Sequence, residues 1–347
     1  MVFSTTQLRS AVTVTAVSDI TDAKSITGLF DHDGVQLQSE RLHANRIVVR
    51  LPPFSLIYHS TNLRLGTRTR VHDGMAAAVV FGPNASGTVG GLPISQETLL
   101  MAAGDAEVRF FVEPGYESVA VMAAQNELST CAAQLRWDGG FRLPQGLDVL
   151  RADPLAARTL FRLGKRIAVV ASKRPHILKL GSTASTLAQA ELLDALFAAA
   201  RSAVQIDPNG RARTQRSQGR IVRLAENYAL ANLAERVNVA DLCRATDVSE
   251  RTLECAFKQV TSLSPVAYLI RLRLHRVRAA LLAADPGSTR VSAEAIKYGF
   301  WHFGEFSRAY KKCFGEPPSF TLRREAVRPS TRAGAERRFA SERYLAR

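Results

Sequence analysis

The chain has 347 residues and a mass of 37.9 kDa, more than one hydrophobic core usually serves, so two domains are expected. Hydrophobic residues make up 46% and charged residues 22%, which excludes a wholly disordered chain. The 46 Lys+Arg against 31 Asp+Glu leave a net charge of +15, and no apolar run approaches the roughly 18 residues that cross a bilayer.

The charge is unevenly placed. Residues 1–216 hold 23 basic and 18 acidic residues, a net of +5, whereas residues 217–347 hold 23 and 13, a net of +10. A polyanion partner is therefore expected for the C-terminal part. Charge alone does not separate nucleic acid from an anionic membrane or a solvated surface.

Along the chain, Met1–Ile20 lacks a basic start followed by a clean apolar stretch, so no secretory leader is expected and a cytoplasmic location follows. Residues 17–150 read as β structure. Short apolar or alternating runs recur at Arg46–Leu51, Ser55–His59, Ala76–Phe81 and Glu107–Val112. Turn signals separate them at Asp31–Gly34, Pro52–Pro53, Gly82–Asn84 and Gly90–Gly91. Strands at this spacing predict a small barrel or sandwich.

The period then lengthens. Pro154–Val170 and Thr186–Val204 carry apolar residues at three- and four-residue intervals and read as helices over about 153–205. Asp153 before Pro154 is the expected N-cap. In the second helix Leu187, Leu192, Leu193, Leu196 and Phe197 fall on one side. This helix pair is open to two roles, a dimer interface or packing onto the barrel of the same chain. Residues 1–206 are thus one unit. Residues 207–219 are polar, basic and rich in turn formers, and read as a flexible linker. Residues 220–325 are helical in pattern, and the basic tail 326–347 is expected to be poorly ordered.

Two segments of the helical part share one grammar: Val239–Lys258 and Val291–Lys311. Each reads as a short helix, a tight turn and a second helix. In the first, Ala245-Thr-Asp-Val is the turn and Ser249 caps the next helix. In the second, Tyr298-Gly-Phe-Trp is the turn, and Gly299 can take the left-handed backbone it needs. Leu242, Val248, Leu253 and Phe257 form one expected core, and Ala295, Ile296, Phe300, Phe306 and Tyr310 the other. These are helix-turn-helix units, whose second helix can enter a DNA major groove. Between them Pro265–Ala283 carries an apolar stripe of Leu269, Leu272, Leu274, Val277 and Leu281. About 18 helical residues span roughly 27 Å, close to the roughly 34 Å of one DNA turn.

Residues from about Arg220 to Arg324 resemble the DNA-binding domain of AraC/XylS-type transcription regulators. The resemblance is carried by Ala295-Ile-Lys-Tyr-Gly-Phe, Phe306-Ser-Arg-Ala-Tyr-Lys-Lys-Cys-Phe-Gly315 and Pro317-Pro-Ser, with Thr261-Ser-Leu-Ser-Pro-Val-Ala-Tyr-Leu269 upstream. It implies an α+β multidomain protein: an N-terminal cupin-like barrel with appended helices that senses a small molecule and dimerises, then the all-α double helix-turn-helix domain. By the same resemblance the chain is an activator that contacts double-stranded DNA and RNA polymerase, acts as a homodimer and needs no membrane. The whole-chain pattern is similar to the subgroup with ethanolamine- and nitrile-responsive regulators.

The resemblance places Arg251, Glu254 and Cys255 at base-facing positions of the first recognition helix. Arg can pair bidentately with guanine and Glu can accept from cytosine, whereas Cys255 departs from the usual polar residue. In the second, Arg308 is the foremost candidate and Gly304 and Glu305 share its face. Gly304 offers no side chain, so this unit is expected to act more through the backbone. Lys258, Lys311, Lys312, Arg271 and Arg273 are candidate phosphate contacts, which set register and affinity rather than sequence choice. Trp301 is expected to pack in its turn rather than stack on a base.

No cofactor or metal is expected. Cys131, Cys243, Cys255 and Cys313 are far apart with no C-x-x-C pair, and His59 and His72 make no H-x-H pair. In the barrel, Tyr58, His59, Arg64 and Tyr116 are candidate effector contacts. Two alternatives stay open: a barrel that serves protein–protein contacts without a small molecule, and a DNA repair enzyme. The latter needs a reactive cysteine in a Pro-Cys-His-type setting, and Cys131 sits in Ser-Thr-Cys-Ala-Ala.

Overall fold

The computed structural model describes residues 11–323 apart from 21–28, 135–142, 180, 207–209, 234, 236 and 286. The expected tail, residues 326–347, lies outside the described residues. The chain opens with β1 (Val12–Val17), β2 (Phe30–Gln36), β3 (Ala44–Leu51) and β4 (Phe54–Thr61). It continues through β5 (Leu65–Val71), β6 (Met75–Phe81), β7 (Gly87–Val89) and β8 (Leu92–Pro93). Then come β9 (Thr98–Ala103), β10 (Glu107–Val112), β11 (Tyr116–Ala124), α1 (Gln125–Gln134) and β12 (Leu147–Arg151). The helices α2 (Pro154–Lys173) and α3 (Thr183–Arg201) and a short β13 (Val204–Gln205) complete this half.

The strands pair antiparallel in two sheets, ordered β1-β3-β4-β11-β6-β9-β12-β13 and β2-β5-β10-β7-β8. The barrel of the sequence reading is thus two facing sheets, neither of which closes on itself. The reach is also wider than 17–150, because β1 starts at Val12 and β13 follows α3. Asp31–Gly34, read as a turn, lies inside β2. The physical reason is packing: a Cβ on Gly34 would meet Ile20 at 2.4 Å and the Gly66 carbonyl at 3.1 Å, so glycine here permits close approach.

One core fills the space between the sheets, with Leu65, Ala77, Leu100, Val108 and Met122 among its members. A second joins the outer face of the large sheet, through Val49, Leu56, Val80 and Val119, to α2 and α3, through Leu160, Phe161, Leu192 and Leu196. Gly164 of α2 lets the helix lie close, since a Cβ there would meet Val119 at 2.5 Å. The Asp153 cap forms as expected, accepting from the Leu155 and Ala156 amides at 3.0 and 2.9 Å. Leu187 departs from the expected cluster and is 58% exposed, since the first turns of α3 meet the core through Ala184 and Ala188 instead.

The segment read as a flexible linker is helical from Gly210. It forms the first three turns of α4 (Gly210–Ala231). Its only buried apolar residue before Ile221 is Ala212, so the sequence carries little sign of burial. Tertiary contact supplies it: Ala212 sits in the inter-sheet core, and Gly219 lies against the backbone of Gly91. Then follow α5 (Val239–Thr246), α6 (Glu250–Thr261), α7 (Pro265–Ala283), α8 (Val291–Lys297), α9 (Phe303–Phe314) and α10 (Pro318–Arg323).

Candidate nucleic-acid interface and ligand cavity

The first two-helix unit is built by its caps. Asn238 and Asp241 form a capping box at the start of α5, with bonds of 3.1 and 2.8 Å. α5 stops at Asp247, whose φ of +54° turns the chain. The Ser249 hydroxyl accepts the Thr252 amide at 3.3 Å and starts α6. Leu242, Leu253 and Phe257 are buried as expected, with Val248 partly buried against them. Burying that face of α6 leaves Arg251, Glu254, Cys255 and Lys258 together on the exposed face, at the i, i+3, i+4, i+7 spacing of one helical side. Gln218 of α4 reaches the Cys255 sulfur at 3.9 Å.

The second unit repeats the plan. Gly299 takes φ +81° in its turn. Glu294 of α8 is buried and bonded to Thr289 at 2.7 Å and Lys297 at 2.8 Å; these partners hold its carboxylate charged although burial opposes that. Ala295, Phe306, Tyr310 and Cys313 form the core, with Phe300 partly buried against it. Gly304, Glu305, Arg308, Lys311 and Lys312 are all exposed on α9. Arg308 Nε lies back toward the Gly304 carbonyl at 3.4 Å. Ile296, expected in this core, is 38% exposed, and Trp301, expected to pack in the turn, is 51% exposed with Phe303 at 43% beside it. From the short α8 it is Ala295, with Val291 partly buried beside it, that packs on this core.

The two cores are separate and share α7. Its first half gives Tyr268, Leu269 and Leu272 to one, and its second half gives Leu274, Val277 and Leu281 to the other. Nineteen residues make a rod of about 28 Å.

Two expected phosphate contacts point inward instead. Arg271 donates to the Ser39 hydroxyl at 2.6 Å and the Gln38 carbonyl at 3.3 Å. Arg273 donates to the Val237 carbonyl at 3.0 Å. A third guanidinium of α7, Arg278, is buried in a pair with Asp19 and a 3.0 Å bond to Glu316. Arg271 and Arg278 belong to a seam with the N-terminal half that the sequence alone did not disclose, whereas Arg273 bonds within the helical half. Arg276 pairs with Asp33 at 2.5 Å. The Gln36 amide donates to His275 Nε2 at 2.8 Å. Arg109 pairs with Glu226 and reaches Asn227 at 2.6 Å. Val35, Leu37 and Phe111 join the core of the first helix-turn-helix unit. The small sheet therefore carries the helical half on its outer face.

Its inner face lines a cavity of about 110 Å³ between the two sheets. From the small sheet come Phe30, His32, Thr67, Thr69 and Phe110, and from the large sheet Arg46, His59, Leu100, Ser118 and Met122, with Tyr116 at the edge. Of the four expected effector contacts, His59 and Tyr116 line it and Tyr58 and Arg64 do not. Strand alternation explains Tyr58: Ile57 and His59 face the cavity, so Tyr58 faces α2, where it donates to Glu117 beneath Lys165. Arg64 pairs with Glu113 at 2.7 Å. Arg46 was missed because a lone arginine in an apolar strand carries no motif; it is 2% exposed, and burial lowers its pKa to about 10. Burial, reinforced by Arg46, lowers the pKa of His32 to about 3 and that of His59 well below the usual value. Both rings are therefore neutral. No cluster fit for a metal ion occurs among the described residues, nor is any described helix long and apolar enough to cross a membrane.

Comparison with known proteins matches residues 242–324 to the family described as "Helix-turn-helix domain". The chain is 39% identical over 103 residues to the probable thc operon regulatory protein of Rhodococcus erythropolis, covering 30% of this chain and 31% of that one. It is 31% identical over 109 residues to XylDLEGF operon transcriptional activator 3 of Pseudomonas putida, covering 31% and 32%. The matched segment spans about a third of the length of these relatives. Among solved structures, an AraC-type regulator from Chromobacterium violaceum aligns at 25% identity over 35% of this chain and all of that one, with a TM-score of 0.30. The AraC-like activator CuxR aligns at 12% identity over 83% and 100%, with a TM-score of 0.37.

Proposed function

Because the C-terminal region carries a helix-turn-helix domain of the AraC/XylS type, we propose that the chain is a sequence-specific transcriptional regulator that answers to a small molecule held between its two sheets. The observation that carries the reading is the pair of exposed polar faces, on α6 and α9, held by separate cores on one helix, α7. In this reading Arg251 and Glu254 read base edges, and Lys258, Lys311 and Lys312 meet phosphates. Arg308 contributes from the second unit, where Gly304 leaves a gap and the exposed Trp301 and Phe303 stand at the helix start. Arg271 and Arg273 are withdrawn from the phosphate set by their inward bonds.

The small sheet supports coupling between ligand and DNA. Along β10, Val108 and Phe110 face the cavity while Arg109 and Phe111 hold α4 and α7. Along β2, Phe30 and His32 face the cavity while Asp33 holds Arg276. A ligand that moves one face of these strands moves the other, and it shifts the arrangement only by its differential affinity. In this reading the regulator works as a cytoplasmic homodimer, recruits RNA polymerase as an activator, and performs no catalytic step, while the apolar faces of α2 and α3 pack on the large sheet of their own chain.

The test is selection of genomic fragments by the full chain at near-physiological salt, since a strongly basic domain holds any DNA at low salt. Enrichment of one or two sites beside an operon supports the reading. Retention of all fragments alike sinks it.

A further inference from the structure

The first four turns of α4 carry a stripe of arginines that neither helix-turn-helix unit uses. Arg213, Arg216, Arg220 and Arg223 are all exposed and follow one another at steps of three, four and three residues. At about 100° per residue these steps keep them within roughly 80° of one side of the helix. Ile221, Val222, Ala225 and Ala229, on nearly the opposite side, are buried. The helix has no carboxylate before Glu226, and Glu226 is taken by Arg109 and Tyr268. Among the described residues none of the four arginines enters an ion pair. Like charges at this spacing repel, and nothing within the helix offsets it, so the face is suited to an external anion. The stripe adjoins the first recognition unit: Gln218, between Arg216 and Arg220 in the chain, reaches the Cys255 sulfur on the exposed face of α6 at 3.9 Å. It also lies outside residues 242–324, the segment that matches the helix-turn-helix family.

We propose that α4 is a third DNA-contacting element, its four arginines lying along the phosphates that flank the groove entered by α6. The inference rests on the reading of the helical half as DNA-binding. From Arg213 to Arg223 the helix rises about 15 Å, and one DNA strand presents a phosphate every 3.4 Å or so of its axis, so the stripe faces about four phosphates. Guanidinium and phosphate pair through two parallel bonds. The close approach of Gly219 to the Gly91 backbone holds this part of α4 on the N-terminal half, so the stripe is presented on a fixed rod. Such contacts add affinity, register and salt dependence, not sequence choice. An acidic protein surface is the other partner of matching charge; DNA is favoured because α4 touches the recognition helix itself.

The experiment takes a DNA fragment selected by the full chain and measures affinity between about 50 and 200 mM salt, together with a hydroxyl-radical footprint. The variant changes Arg213, Arg216, Arg220 and Arg223 to Gln, which keeps helix propensity close to that of Arg. The slope of log affinity against log salt should fall by about 3.6, at about 0.9 for each phosphate released, so across that salt range the unaltered chain should lose about 150-fold more affinity than the variant. Sugars at the edge of the footprint next to α6 should lose protection, while those under α6 and α9 keep it. Changing the same four to Lys should restore both slope and edge, because a phosphate contact needs the charge. On the unaltered chain, a fragment cut back to remove that edge should show the same fall in slope, a comparison that needs no variant to fold. An unchanged slope and edge in the Gln variant overturns the proposal. So does an even loss of protection over the whole site, which marks net charge alone, or a cut-back fragment bound with the full slope. In those cases the fragment is still recognised and the reading of α6 and α9 stands. If no fragment is selected at all, that reading falls and the proposal with it.

Discussion

Gly219→Ala tests the seam between the two halves. Gly219 lies mid-helix in α4, where Ala is favoured over Gly by about 1 kcal/mol. In the docked chain, however, the new Cβ would meet Gly91 Cα at 2.7 Å, Gly91 N at 2.9 Å and the Gly90 carbonyl at 3.0 Å. These are backbone atoms of the β7–β8 turn, so no side chain can swing aside. Relief to an ordinary contact of 3.4 Å requires α4 to withdraw by about 0.7 Å at its nearest point, an overpacking that typically costs about 1–3 kcal/mol. The substitution should thus weaken docking by roughly 5- to 150-fold while strengthening the helix. Hydrogen exchange reads both effects in the same molecule. The Gln36 amide, bonded to His275 across the seam at 2.8 Å, should exchange faster, whereas amides late in α4 should exchange no faster or more slowly. A Gln36 amide equally protected in the variant, with a raised melting temperature, would refute the argument that this close approach fixes α4 on the sheet.

Arg251→Ala should weaken binding to a selected site by about 1–3 kcal/mol and relax preference at one base pair; equal loss on all sequences in a competition assay counts against base reading. Lys258→Gln, Lys311→Gln and Lys312→Gln should each lower the slope of log affinity against log salt by about 0.9, and an unchanged slope removes that lysine from the phosphate set. Burial holds His32 and His275 at about 3 and His59 well below its usual value. Unfolded, all three return to about 6.5, so the unfolded chain binds more protons below that pH. Their contribution is complete above pH 6.5 and is lost as pH falls below it, with about 3 kcal/mol from His32 and His275 together gone between pH 7.5 and 5.5 and a further loss of the same sign from His59; a urea midpoint that does not move over this range contradicts it. Gly299→Ala, at φ +81° and with the new methyl at no closer than an ordinary 3.6 Å contact to the Arg273 guanidinium, should cost about 1 kcal/mol, mainly from backbone strain, read as a lower melting temperature.

Much of the recognition half was legible in the sequence because its signals are local. Ser249 caps α6 where its side chain reaches an amide three residues on, as Asp153 does for α2 in the other half, and Gly299 turns where only glycine turns freely. Burial at helical spacing placed Leu242, Leu253, Phe257, Phe306 and Tyr310 inside, and the same spacing put Arg251, Glu254 and Lys258 outside. The cavity was half legible. His59 and Tyr116 were found, but Tyr58 was assigned to the wrong face, because no pattern in Ser55–His59 says which of the two faces is the inner one.

What only the tertiary structure decided is long-range. Arg271, Arg273, Arg276 and Arg278 look alike on α7, and each could meet a phosphate. Arg273 finds the Val237 carbonyl within its own half, but the partners of Arg271, Arg276 and Arg278 lie at Ser39, Asp33 and Asp19, 232 to 259 residues away, and no local rule pairs groups at that distance. The first turns of α4 read as a linker because helices are stabilised mostly by what they pack against, and the partner of Gly219 is the backbone of Gly91. The sequence by itself determined two recognition units, their turns and their outward faces, since periodicity and caps act within a few residues. That the small sheet holds a cavity on one side and the DNA-binding half on the other depends on strands and helices meeting in space.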